Sequence, residues 1–292
     1  MGKGIMKEIA PNIYVATEYP GVNVGFIVRP AGIIAIDAPT LPRDARAWRR
    51  QITAMEKGLI LYTVLTDAHP HRLLNAGLLK APIVAARAAY ARAADYTDGF
   101  WRNVVRGLMR YYPNVGGSLA DLNVVLPEIL LHNNLTLHKG QVDVTVERVA
   151  GSAPGSAWID LREEGVLFTG DTMVAETHPV LDASPDTKAW LDTLAMLRRP
   201  QFSGITIVPG RGPLCDQETS QDLSEYIRVV RRRARSLHRA GRPQTDVEEF
   251  VPELLSMFPV PEERRDQLQR RVQSGLERVY EELGSEESMS SS

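Results

Sequence analysis

Residues Leu59 to Leu65 form an unbroken apolar run, the pattern of a β-strand buried on both faces. Such a strand needs cover above and below, so the chain must build layers around it. Strand segments precede the run: Asn12 to Ala16, Val22 to Val28 and Ile33 to Ile36, with Arg29-Pro30-Ala31-Gly32 turning between the last two. A helix is expected from about Leu41, capped by Thr40, with Pro42 in its first turn and Ala45, Trp48, Ile52 and Met55 as its apolar stripe. Beyond the run come a short helix near Leu73, a strand at Ile83 to Ala85, a helical stretch to about Tyr112 and a loop at Asn114 to Ser118. Strands resume at Leu135 to Leu137, Val142 to Val149, Ala157 to Leu161 and Val166 to Phe168. A helix over about Pro185 to Leu197, a short strand at Ile205 to Val208 and a helix over 221–240 follow.

Two further helices are expected at the C-terminal end. Thr245 and Glu248 have the spacing of a capping box. The second helix runs from about Pro261 to Leu283, striped by Leu268, Val272, Leu276, Val279 and Leu283, with Gly284 as its stop. Its stripe suits either a second subunit or the chain's own core. Residues 285–292 are too polar to order themselves. The order of elements is that of a two-layer β core with helices outside.

Composition narrows the function classes. A net charge of −2 gives no basic footprint for nucleic acid, and none is expected as partner. No run reaches the ~18 apolar residues of a membrane span. The N-terminal MGKGIMKEIA lacks the apolar core of a signal peptide, and the one cysteine, Cys215, can form no disulfide within the chain. Together these lead us to expect a cytoplasmic protein.

Five local signatures, in order, resemble the metallo-β-lactamase superfamily. They are Asn23 to Asp37, ending in Ile36-Asp37; Leu65-Thr66-Asp67-Ala68-His69-Pro70-His71-Arg72; Gly151-Ser152-Ala153-Pro154-Gly155-Ser156; Leu167-Phe168-Thr169-Gly170-Asp171; and Val208-Pro209-Gly210-Arg211-Gly212. Thr177-His178-Pro179 and Trp190-Leu191 look like a glyoxalase-II-type branch. The resemblance implies an α/β fold, a four-layer αββα sandwich over residues 1–240, with a C-terminal helical extension at 241–284 and a disordered tail.

It also implies a centre of two metal ions held by five histidines and two aspartates, which lower the pKa of a bridging water. Carried over position by position, that set becomes Asp67, His69, His71, Arg72, Ser152, Asp171 and Arg211, so only His69 and Asp171 keep the family's residue types. Two of the four positions around the second metal are arginine, which cannot ligate a metal. Arg72 and Arg211 are therefore expected to replace that metal's charge, pair with Asp171 and make the cleft friendly to anions. Asp67, His69, His71 and Asp171 remain as donors for one weakly bound Zn, Mn or Fe ion, or for none.

The expected function is binding without hydrolysis in the former active-site cleft, with a small anionic ligand or a protein as partner. Homo-oligomerisation through the C-terminal helices is a further expectation. The alternative is a metallo-hydrolase with a rebuilt mononuclear site acting on an ester, thioester or lactone, or a metal-free site using His71 as base or Ser152 as nucleophile. Plainer roles stand beside these. His69 and His71 suit hydrogen-bonded loop positions, and Asp37 and Asp171 suit turns. Arg231-Arg232-Arg233 suits the wet face of a helix. Trp101, Tyr111 and Tyr112 suit either packing or a pocket wall.

Overall fold

The computed structural model describes residues 5–112, 124–140 and 143–290. Among them, strands β1 (Lys7–Ala10), β2 (Ile13–Ala16), β3 (Val24–Arg29), β4 (Gly32–Ile36), β5 (Ile60–Val64), β6 (Ile83–Ala86) and β7 (Ile129–Leu131) pair in chain order into one seven-stranded sheet. Its first four strands are antiparallel and the rest run parallel. The second sheet has the order β12 (Thr206–Arg211), β11 (Val166–Val174), β10 (Ala157–Leu161), β9 (Val144–Arg148), β8 (Asn134–Leu137). Only β11 and β12 are parallel in it.

The period of two in the strands decides which side chain faces which layer. Ile34 and Ile36 point inward and meet Val146, Ile159 and Phe168 of the facing sheet. Ile33 and Ala35 point outward to Trp48 and Ile52 of α1 (Pro42–Thr53). On the far side, Leu167 and Ile207 meet Trp190 and Leu194 of α5 (Thr187–Leu197) and Leu223, Ile227 and Val230 of α6 (Ser220–Arg239). The result is helix, sheet, sheet, helix, the four layers implied by the sequence. Between the sheets' strands lie α2 (Pro70–Leu73), α3 (Arg87–Ala94) and α4 (Asp98–Tyr111).

The C-terminal helices α7 (Val251–Leu255) and α8 (Arg265–Ser290) join the outer layer. Val272, Leu276, Val279 and Leu283 of α8 are buried in the same apolar cluster as α5 and α6. The stripe thus covers the chain's own core. No helix among the described residues is long and apolar enough to cross a membrane.

Several local expectations need correction. Leu59 is 79% exposed, and only Thr63 to Leu65 of the apolar run are fully buried. Leu59 sits before β5, where only its carbonyl is used, accepting from Ile33 N–H at 2.8 Å. The N-cap of α1 is Leu41, without a side-chain cap from Thr40. The capping box at Thr245 does not form. Residues Gln244–Phe250 make a 3₁₀ segment, and Glu248 instead accepts from the Gln273 amide of α8 at 3.0 Å. Helix α8 does not stop at Gly284 but continues to Ser290, so the expected disordered tail is helical up to that residue. Gly284 serves close packing: a Cβ there would lie 2.7 Å from Nε2 of His238.

Arg231 is not on a wet helix face. It is 6% exposed and ion-pairs with Glu282 at 2.5 Å and Glu286 at 3.1 Å, while Arg232 is exposed. The loop expected at Asn114 to Ser118 lies outside the described residues.

Candidate functional site: an arginine–carboxylate centre at the strand ends

The C-terminal ends of β4, β5 and β12, and the irregular middle of β11, deliver polar side chains to one buried point. After β4, Asp37 adopts a left-handed backbone with φ of 55°. Its carboxylate accepts from Thr66 N–H at 3.0 Å, from the Thr66 hydroxyl at 2.7 Å and from Arg72 Nη1 at 2.5 Å. Asp37 therefore does more than make a turn: it orients the loop that follows β5. In that loop Asp67 Oδ1 accepts from His69 N–H at 2.8 Å, a local turn that places His69 just before α2. Pro70 opens α2 where no N–H is needed, and Arg72 then projects inward, 1% exposed.

Asp171 comes from β11, where the register with β12 shifts at Gly170, a residue with φ of 54°. Arg72 Nη2 lies 2.5 Å from one oxygen of Asp171, and Arg211 Nη2 ion-pairs with the other. The two guanidiniums expected beside Asp171 are both there. Gly210 is required by this approach, because a Cβ at that position would collide with Asp171 and with Arg72 Nη2. Asn23, a residue without a role in the reading of the sequence, anchors the end of β12. Its side-chain amide donates to the carbonyls of Pro209 and Gly212, both at 2.8 Å.

Electrostatics keep the centre ionised. Burial pushes the Asp67 carboxyl up, but Arg72 and His69 outweigh it and hold it well below the usual carboxylate range. Asp171 follows the same pattern: burial raises it, and Arg211 and then Arg72 hold it low. Three aspartates, 37, 67 and 171, face two guanidiniums, so the carboxylates outnumber the guanidiniums by one, and a proton on His69 would balance them. The buried Oδ2 of Asp67 makes no hydrogen bond.

Among the described residues, Asp67, His69 and Asp171 form one group whose ligand atoms lie within 4.8 Å of one another. His69 Nδ1 is 3.1 Å from Asp67 Oδ1 and 3.7 Å from Asp171 Oδ2. Neither imidazole nitrogen of His69 makes a hydrogen bond, so Asp67 and His69 both keep lone pairs to offer. Both oxygens of Asp171 are committed to guanidiniums. This donor set fits one ion on the Asp67 side and does not fit a pair.

The other sequence candidates divide. His71 is outside that group of three. Burial, then Arg211 and its neighbours, push its imidazole down to about 3, so it is neutral at pH 7. Ser152 is fully buried and its hydroxyl makes no hydrogen bond, so no histidine is in contact to activate it. His178 is a core residue, edge-on to Tyr226 and Phe258 with Nε2 at 3.2 Å from the carbonyl of Leu254. Trp101 lines a separate cavity under α4, whereas Tyr111 and Tyr112 line the cleft at the centre's mouth.

That cleft has two lobes, of about 330 and about 400 Å³, which share His71, Leu108, Tyr112, Arg211 and Gln267 as walls. Arg264 and Arg271, just before and on α8, border the smaller lobe. Neither was singled out from sequence. The only signal was a set of arginines near the α8 stripe, and their direction depends on where α8 docks.

Comparison with known proteins agrees with this fold. The family model of the metallo-beta-lactamase superfamily matches residues 21–210. No curated protein matches the chain in sequence. Among solved structures, a metallo-beta-lactamase from Pontibacter korlensis has a TM-score of 0.61 at 16% identity, covering 77% of this chain and 98% of that one. A metallo-beta-lactamase family protein from Thermus thermophilus has a TM-score of 0.66 at 18% identity, covering 94% of this chain and 95% of that one. The stereoselective inverting sec-alkylsulfatase Pisa1 from Pseudomonas sp. has a TM-score of 0.69 at 16% identity, covering 95% of this chain and 50% of that one. At such identities the likeness is one of fold.

Proposed function

The chain belongs to the metallo-β-lactamase superfamily, and from that premise we propose that it is a non-hydrolytic member in which two arginines stand in for the second metal and the former active-site cleft binds an anionic ligand. One observation carries this reading: a guanidinium on each oxygen of Asp171, the residue matching the family's metal-bridging aspartate. A dication ~4 Å from a guanidinium would be repelled by about 8 kcal/mol at an effective dielectric of ~20, and here there are two guanidiniums. Asp171 already has the cationic partners that a buried carboxylate needs. Loss of hydrolysis is supported by His71, held far below the pKa a general base needs at pH 7, and by Ser152, which has no activating partner.

Elemental analysis of protein purified without added metal or chelator tests the reading, together with turnover of an ester, a thioester and a lactone. We expect well under one equivalent of Zn, Mn or Fe and no turnover. Chelator-sensitive turnover would overturn the proposal. A complementary test restores the family's residues together: Asp67→His, His71→Asp, Arg72→His, Ser152→His and Arg211→His. If only the ligands have changed, this variant takes up two metal equivalents.

A second reading has its own observation. The unpartnered Asp67 Oδ2 beside the two unpartnered nitrogens of His69 favours a single divalent ion held by Asp67 and His69, next to Asp171. When bound, such an ion would polarise a carbonyl or lower the pKa of a water. One equivalent of metal with turnover would select this mononuclear hydrolase.

A further inference from the structure

The two lobes of the cleft differ in chemistry and meet at Arg211. That side chain is 6% exposed. Its Nε donates to Gly21 O at 3.1 Å and one Nη ion-pairs with Asp171. The other, Nη1, is buried without any hydrogen bond. A buried N–H of a charged group with no acceptor costs more than almost any other unsatisfied donor, and it marks where an acceptor belongs. Arg271 of α8 borders the same lobe, where burial and the charge of Arg211 push its guanidinium down to about 9. Its hydrogen bond to protein is to the carbonyl of His178, at 3.3 Å. Two guanidiniums lining one lobe call for an anion between them. Glu18 and Glu176 at the rim limit that anion to a low charge.

The other lobe lies beneath α4 and is walled by Phe100, Val104, Leu108, Tyr112 and Val180. Phe100 and Val104 stay only half-buried although they face inward. At about 400 Å³, the lobe has room for a short chain or a ring.

We propose that the cleft holds an amphipathic monoanion, its oxyanion head between Arg211 and Arg271 and its alkyl or aryl tail beneath α4. This rests on the anion-binding reading above and adds to it the tail and the second arginine.

Calorimetric titration of the full chain with acetate, butyrate, hexanoate, octanoate, octyl phosphate and 1-octanol tests it. Affinity should rise about fourfold per methylene from butyrate to octanoate, as burial of each CH₂ predicts. Octanol should bind at least tenfold more weakly than octanoate, and octyl phosphate, with its higher charge, more weakly too. Arg271→Gln should lower octanoate affinity at least tenfold while keeping the chain-length slope, and Arg271→Lys should recover part of the loss. Val104→Ser should flatten the slope and leave acetate binding unchanged. Equal affinity for acetate and octanoate would overturn the tail site while leaving the anion reading intact. Binding of no anion at all would remove both. Unchanged octanoate affinity in Arg271→Gln, in a variant with the parent's melting temperature, would overturn the head site, as would tighter binding of octyl phosphate or of octanol.

Discussion

Two of the arginine–carboxylate clusters among the described residues differ in one respect. The one between α5, α6 and α8 is closed. Arg231 donates to Thr187 Oγ1 at 2.6 Å and to Glu282 at 2.5 Å, and Glu282 also accepts from the Thr187 N–H and hydroxyl. None of its atoms is among the buried polar atoms lacking a partner. The cluster at the strand ends is open: Arg211 Nη1, Asp67 Oδ2, both nitrogens of His69 and His71 Nδ1 all lack one. A cluster that exists to rivet helices can satisfy every member. A cluster that faces a cleft keeps unmatched donors and acceptors for something outside the chain. The two clusters use the same chemistry and differ in the closure of their hydrogen bonds, which is what the proposed binding role rests on.

The largest effect that tests this contrast should come from Arg72→Met. It leaves Asp37, Asp67 and Asp171 buried with one guanidinium among them, and should cost about 3–5 kcal/mol in urea unfolding. Arg231→Met should cost about 3 kcal/mol, the lower end of that range, because its cluster lies nearer the surface. Adding Glu282→Leu should return most of that loss, since a closed structural pair can be exchanged for apolar packing. If the double variant stays as destabilised as the single one, the α8 cluster is not merely a rivet.

Asp171→Asn is the sharper probe. It should cost about 2 kcal/mol of stability yet strengthen anion binding, because Arg211 and Arg72 would lose the carboxylate that competes with a ligand. Weaker anion binding in this variant would mean that the arginines serve Asp171 alone.

The smallest effect is in pH. In the metal-free protein Asp67 and Asp171 are held low, so they bind fewer protons folded than unfolded below about pH 4, and stability falls as pH drops through that region. Asp37 has the opposite sign. Burial, the largest influence, pushes it up to about 6 against the pull of Arg72, so its contribution declines as pH rises from about 4 to 6. Unfolding free energies across about pH 3–7 should therefore fall on both sides of about pH 4 for this cluster. Asp37→Asn should flatten the upper side only.

The sequence showed the layers because strand alternation and helix stripes are local patterns, as at Ile33 to Ile36 and at Leu223 to Leu237. It marked the positions of the inner site because Asp67 and Arg211 sit in signatures at strand ends and Asp171 in one at the irregularity within β11. It misread Arg231, whose neighbours fit a helical stripe while its partner Glu282 lies 51 positions away. Ion pairs between distant segments leave no period to read. Arg271 was missed for the same reason: its inward direction is set by the docking of α8, not by its neighbours in sequence. Gly284 looked like a helix stop, but glycine also serves close approach, and only the neighbouring His238 ring decides which.

The cleft also has a schedule. Arg211 completes the inner lock, but Arg271, which walls the outer lobe, is made sixty residues later. At about 5–20 residues per second, synthesis reaches it some 3–12 s afterwards. The core sheets can settle before the pocket is finished. A ribosome-bound chain that has not yet released α8 would thus carry the inner lock with an unwalled mouth.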